Sequence, residues 1–398
     1  MNAYERALSL KDELVAWRRQ IHTNPEAGPE QPETVAFVMQ KLESFGLKPK
    51  QLGGGVVALV EGAKPGKTIL LRADMDALFM DECSGLPFCS KKKGMNHACG
   101  HDMHTAMLLG AAKILSERRD EIHGCVKLCF QPAEEIGAGA ERMIEAGVLE
   151  NPKVDAAMGL HMAVATQLPT GTVAISPDVT LASNDMFRIT VHGRGSHGAR
   201  PETSIDPINI VCHLHTLLQA INSREIAPQE TFVLTIGQIG GGSTANSIPD
   251  EAFLRGTIRT LNSDTRAFVK KRLVDIVTKT ADAMRATVDI DFETELPPLV
   301  NDTAMVREMQ SYLREILPAE QVQDMPTRMG SEDFAKVTAL VPGIFAFLSG
   351  GSAAEGYTTG SHNPKVIYNE DSMPAGAATT AHCAIRWLEN HAEGDKQS

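Results

Sequence analysis

The segment Asn96-His97-Ala98-Cys99-Gly100-His101-Asp102-Met103-His104 concentrates imidazoles, a thiol and a carboxylate in a short stretch. Cys99 and His101 are two apart, so from an extended loop both side chains face one point. A thiolate and an imidazole converging there suit a borderline transition metal. Asp102 is placed to cap the helix that follows. Further on, Gln131-Pro132-Ala133-Glu134-Glu135 sets two carboxylates side by side, aimed in different directions. One can ligate a metal while the other stays free as a base. The same two acids also suit the first turn of a helix starting at Ile136. His161 ends an apolar run, and His362 lies in the turn-rich Thr359–Pro364. Asp74 and Asp76 stand two apart at the end of another extended run, so they face one side. They are spaced to orient ligating histidines as outer hydrogen-bond acceptors. Cys99, His101, one of the two glutamates, His161 and His362 are too many donors for one open tetrahedral zinc. They suit a pair of metals ~3.5–4 Å apart.

The elements that must position these groups can be read from periodicity. Gly55–Val60, Thr68–Ala73, Gly124–Phe130 and Val154–His161 are β-type runs. The helical stretch between the second and third, Met103–Leu115, places apolar residues at i, i+3, i+4, i+7. Strands alternating with helices predict an α/β layer with a mostly parallel sheet flanked by helices. A different order occupies the middle. Phe187–His192 reads as a strand, Ile205–Ser223 as a helix opened by Asp206-Pro207, and Phe232–Ile239 and Ala252–Thr260 as strands. Asp264–Arg285 then reads as a helix and Ala286–Phe292 as a strand. That β-α-β-β-α-β order is the ferredoxin-like split βαβ. Pro177 and Pro297-Pro298 are the natural hinges. The expected organisation is therefore one domain over 1–182 and 297–398, interrupted by a second over 183–296.

The chain has 398 residues, 42% of them hydrophobic and 22% charged, which fits a globular protein of two domains or so. Its net charge of −12 repels phosphate backbones and argues against a nucleic-acid partner. No apolar stretch reaches the ~18 residues of a membrane span, so no membrane partner is expected. The opening residues are charged throughout, and the seven cysteines are an odd number. The expectation is a cytoplasmic, reduced protein whose thiols are mostly core residues. Gly193–Gly198 presents His197 from a flexible loop, and Gly240–Ser243 with Asn246 forms another. Neither matches a phosphate-binding fingerprint.

The chain resembles the M20 metallopeptidases, in their amidohydrolase branch with hippurate hydrolase, N-acyl-amino-acid deacetylases and auxin-conjugate hydrolases. The matching pieces are LRADMDAL (71–78), ACGHDMHTAMLLG (98–110), FQPAEE (130–135), GLH (159–161), GRGSHGARP (193–201) and SHNP (361–364). The resemblance implies a catalytic α/β domain carrying a ferredoxin-like lid that also forms a homodimer. It implies two divalent ions held by Cys99, His101, Glu135, His161 and His362, with manganese or zinc foremost and cobalt or nickel as further options. Glu134 falls on the general base and Asp76 on the acid supporting the metals. Asp74 stands where other branches have a histidine ligand. His197 matches the lid histidine that reaches the neighbouring subunit's site, and Asn246 and Arg259 match residues that hold a substrate carboxylate. Phe79 departs from the motif, which usually continues with proline. The implied reaction is hydrolysis of the amide of a small N-acyl amino acid. The alternatives are a deacetylase of N-acetyl-diaminopimelate or a related compound, a cysteine hydrolase using Cys99 as nucleophile, and a non-catalytic binding protein of the same fold.

Overall fold

A computed structural model describes residues 1–392 of the chain. It divides into two units, one of Met1–Thr180, Val300–Thr327 and the chain from Glu332 onward, the other of Leu181–Leu299 with Arg328–Ser331. The second unit thus takes in a four-residue piece, 328–331, that no composition change in the sequence marks.

In the larger unit the extended runs pair into an eight-stranded sheet. Its centre holds His123–Gln131, Lys64–Asp74, Ala156–Ala163 and Gly343–Ser349 in that order, all parallel. Consecutive residues such as Ile69, Leu70 and Leu71 are all buried, as expected of strands covered on both faces. Antiparallel pairing adds Gly55–Glu61 and Lys50–Leu52 on one side and Val173–Ile175 on the other, and Val322–Asp324 pairs parallel to the last of these at the edge. Three of these outer strands are only three residues long, too short to show a pattern in the sequence. Parallel pairing puts the carboxyl ends of the central strands on one edge. Asp74 lies opposite Gln131, and Phe347 opposite His161. His161 does not end its strand, which continues to Ala163.

The helix after the Lys64–Asp74 strand spans His101–Glu117. Its periodicity predicts one apolar face, but nearly every residue is buried, because other helices cover the faces the sheet leaves free. Two glycines allow that approach. A Cβ at Gly110 would meet Leu14 Cδ2 at 2.5 Å, and one at Gly376 would meet Met107 Sδ at 2.1 Å. The expected capping role of Asp102 does not occur. Gly100, at φ +88°, stands at the cap, and Asp102 instead accepts from Arg18 Nε at 2.7 Å and from His22 Nδ1 at 2.8 Å. A fully buried guanidinium requires an anion at its side, and that need outweighs a cap. No helix starts at Ile136 either. The chain turns through Ala133, at φ +57°, and the next helix is Gly139–Glu145.

In the second unit Asn184–His192, Phe232–Gly241, Glu251–Thr260 and Thr287–Leu296 form an antiparallel sheet in the order fourth, first, third, second. Burial alternates along Asn184–His192 and Glu251–Thr260, so one face is packed. Phe187, Ile189, Leu254 and Ile258 pack there with Leu214 of helix Pro207–Ala220 and Leu273 of helix Ser263–Ala283. Asp206 caps the first of these helices through Ile208 N and Asn209 N. This is the ferredoxin-like order expected. All seven cysteines are free; Cys99, Cys125, Cys129 and Cys383 are buried, whereas Cys83 and Cys212 are exposed. Among the described residues no helix is long and apolar enough to cross a membrane.

The helix contact at Gly376 gives a stability test. Gly376→Ala forces Met107 and Leu348 aside and should cost about 1–3 kcal/mol of overpacking. The urea midpoint should fall with an unchanged slope; a midpoint equal to wild type would show that the crossing has slack.

Candidate metal centre

The sheet edge and the loops leaving it bring together donors from four separate stretches of chain. Cys99 Sγ lies 3.5 Å from His161 Nε2 and 3.3 Å from His362 Nε2. Glu135 Oε1 lies 3.5 Å from His362 Nε2 and 3.8 Å from His101 Nε2. Within each of the groups Cys99–His101–His161, Cys99–Glu135–His362 and His101–Glu134–Glu135, the donor atoms lie within 4.8 Å of one another.

Two of the rings are oriented by a bond on their far side. His101 Nδ1 donates to the Asp76 carbonyl at 2.8 Å, and His161 Nδ1 donates to the Met162 carbonyl at 2.7 Å. A carbonyl can only accept, so Nε2 is the nitrogen each ring has left for a ligand. The His362 backbone is held in the left-handed region, φ +59°, and its N–H donates to Ala98 O at 3.0 Å. Two of these inward-facing atoms, His101 Nε2 and Glu135 Oε1, are buried without a hydrogen-bond partner. Orphaned buried atoms of this kind are costly unless something pairs with them. A thiol, imidazoles and carboxylates around one point are the donor set of a divalent transition metal, so the residues present fit such ions.

Asp76 has a second task beside the His101 ring. Its carboxylate accepts from Glu134 N at 3.0 Å and Glu135 N at 3.1 Å, so it fixes the backbone of the glutamate pair, while its Oδ1 also lies 3.5 Å from His101 Nδ1, whose hydrogen bond goes to the Asp76 carbonyl. Asp74 is fully buried. It accepts from His104 Nδ1 at 2.5 Å, and His104 Nε2 in turn accepts from Met162 N at 2.7 Å. His104, the third histidine of the dense segment, is thus a bridge between two strand ends and has no free nitrogen. Beneath lies Arg72, which donates to Asp74, Gln131, Glu332 and Asp333. Sequence reasoning gave Arg72 no role and missed Glu332 and Asp333. Their only local signal is a pair of adjacent acids before Phe334, far from every other motif.

Glu134 stands between the metal-type donors and that acidic base. Burial, then the charges of Glu332, Asp333 and Glu135, hold its carboxyl well above the usual range, which makes it a stronger base. Burial also pushes the Cys99 thiol well up. That is the reverse of an activated nucleophile and speaks against a cysteine hydrolase. His197, Asn246 and Arg259 all belong to the second unit. His197 and Asn246 sit on exposed neighbouring segments, with Ser247 opposite His197 and Gly198 N donating to Asn246 O at 2.8 Å. Arg259 is half-buried on the Glu251–Thr260 strand, and its Nη1 is buried without a partner.

With this geometry in place, comparison with known proteins decides the family. Residues 70–386 match the model of peptidase family M20/M25/M40. The chain belongs to the M20 family. It is 39% identical to the IAA-amino acid hydrolase ILR1-like 4 of Arabidopsis thaliana over 95% of this chain and 86% of that one. It is 38% identical to the N-acetyl-L-cysteine deacetylase of Bacillus subtilis over 97% of this chain and 90% of that one. Among solved structures it is similar to a dinuclear metal binding peptidase of the M20 family from Bacillus subtilis. The TM-score there is 0.81 at 30% identity, covering 96% of this chain and 99% of that one. This M20 protein is therefore a hydrolase of amide or peptide bonds.

Metal uptake should be strongly pH-dependent. The Cys99 thiol is raised by burial, and the His101 imidazole is raised by Asp74 and Cys99 against burial, so both carry protons that a metal must displace. Affinity measured by chelator competition should fall by about tenfold or more per pH unit on acidification. A pH-independent affinity would show that these two groups do not ligate.

Proposed function

We propose that this M20 enzyme is a metal-dependent amidohydrolase that cleaves N-acyl amino acids to a carboxylic acid and a free amino acid. The observation that carries the proposal is the convergence of Cys99, His101, Glu135, His161 and His362, with two orphaned donor atoms, directly beside the basic Glu134. These five residues would hold two divalent ions. Such ions, manganese or zinc first among them, polarise a carbonyl and make a water more acidic.

The chain's own residues do the rest. Glu134 accepts the proton of the attacking water, which adds to the amide carbonyl carbon. The same carboxyl then delivers that proton to the departing nitrogen, because an amine anion is too basic to leave unaided. Asp76 keeps the acceptor pointed inward by holding the Glu134 and Glu135 amides.

The substrate's amino-acid half has a free carboxylate. Arg259 supports that class: a desolvated guanidinium nitrogen without a partner favours an anion. Asn246 and His197 lie next to the start of the same strand, Arg259 near its end. Glu251 and Arg259 are eight positions apart, roughly 26 Å of extended chain. One small substrate cannot span that length, so if both ends serve one substrate they come from different subunits. This favours a homodimer in which His197 of one copy assists the oxyanion at the site of the other.

The test is a panel of hippurate, N-acetyl amino acids, indole-acetyl amino acids and N-acetyl-diaminopimelate, run on protein reconstituted with each metal. Turnover of acyl amino acids that is lost on chelation is the expected result; stoichiometric metal with no turnover on any of them would refute the proposal. Glu134→Gln should still bind metal and lose about 10²–10⁴-fold in kcat. A second variant gives a pH readout. The base must be deprotonated, so activity falls as pH drops through its raised pKa. Glu332→Gln removes a neighbouring charge that raises Glu134, and the acidic limb of kcat/KM should move to lower pH. A limb that stays in place would mean that another group sets it.

A further inference from the structure

The residues 131–140 leave the sheet, turn through Glu134 and Glu135, and return to a helix. Nothing within the loop makes it rigid apart from bonds from Ala138 N and Gly139 N to the Ala133 carbonyl, 3.3 and 3.1 Å, and from Gly137 N to Glu134 O, 2.7 Å. Its two ends nonetheless touch: a Cβ at Gly139 would lie 1.7 Å from the Pro132 carbonyl oxygen. The group holding them is a single carboxylate from a distant part of the chain. Asp333 accepts from Gln131 Nε2 at the loop's start, 2.8 and 2.9 Å to its two oxygens, and from Ala140 N at its end, 2.8 Å. Asp333 is fully buried and is itself tied by Arg72 Nη2 at 2.9 Å. Arg72 Nε also donates to Gln131 Oε1 at 3.0 Å, closing a ring of bonds under the loop.

We infer that Asp333 is the positioning residue of the catalytic loop: its carboxylate clamps both ends of residues 131–140 and so sets where the Glu134 and Glu135 side chains stand. The inference rests on the roles proposed above for those two glutamates. It explains why a carboxylate is needed, since three hydrogen bonds from Gln131 Nε2 and Ala140 N and one from a guanidinium converge on it, and only an acceptor with lone pairs on both oxygens serves them all. It also explains how Ala133 is kept at φ +57°, a conformation that a freely relaxing alanine avoids. Asp76 grips the middle of the same loop, so the glutamates are fixed at three points.

Asp333→Asn tests this. An amide keeps the size but replaces one acceptor by a donor, which cannot take the Ala140 or Gln131 N–H. Two readouts are required. Hydrogen exchange, followed without substrate on metal-free and metal-loaded protein, should quicken in the peptides covering 131–140 and stay unchanged in the sheet. The kcat for the best substrate of the panel should fall by about ten- to a hundredfold, with KM within about threefold. Unchanged exchange in 131–140, a rise spread across the whole unit, or a kcat within about threefold of wild type would each overturn the clamp. Should Asp333→Asn fail to fold, Gln131→Met decides by the same two readouts, because it removes one tether and leaves the Arg72–Asp333 pair in place. An inactive wild type would sink the functional proposal, and exchange alone would then decide the clamp.

Discussion

The centre of this enzyme is built on a charge problem. Asp74, Glu332 and Asp333 are buried side by side, and one guanidinium, Arg72, donates to all three. Removing so many anions from water is affordable only where cations and N–H donors converge on them. Arg72 provides the cation from within the chain. Above it, Glu134, Glu135, Cys99 and the imidazoles form a second group in which His101 Nε2 and Glu135 Oε1 are left unpaired. The first group is partnered within the protein, where burial raises the Glu332 carboxyl and pushes that of Asp333 up to about 8, and the second is open to ions from outside. Glu134 lies on the boundary between them, which is where a proton acceptor of raised basicity is produced without any dedicated device.

The backbone accepts strain in the same region. Ala133 and His362 both have positive φ, one just before the glutamate pair and the other at the residue whose ring meets Cys99. Each is held by hydrogen bonds, Ala133 through its carbonyl to Ala138 and Gly139 of its own loop and His362 through its N–H to the distant Ala98. Strain persists where the surroundings over-determine it. The rigid frame for this is the parallel sheet, whose strand ends lie in register, and the buried His101–Glu117 helix that carries one ligand candidate at its first residue.

Much of this was legible before any coordinates. Period-two and period-3.6 patterns gave the central strands, the long helices and the ferredoxin-like order, because burial on one or both faces writes itself into residue spacing. The candidate donors Cys99, His101, Glu134, Glu135, His161 and His362 stood out by type, since few other uses call for so many metal-favouring groups beside turns. The short outer strands did not stand out, because three residues carry no period. Asp102 misled, because an acid at a helix start looks the same whether it caps the helix or neutralises an arginine some eighty positions earlier in the chain.

What the sequence determined by itself, then, was the local: element types, their order, and which residues had donor atoms to offer. What only tertiary structure decided was partnership. That Asp76 holds the glutamate amides, that His104 is spent on Asp74 and Met162, and that Asp333 reaches back about two hundred positions to grip Gln131 and Ala140 depends on which strand ends meet. The reason is physical. Propensity and periodicity act over a few residues, whereas a hydrogen bond is indifferent to chain separation and asks only for two atoms within about 3 Å.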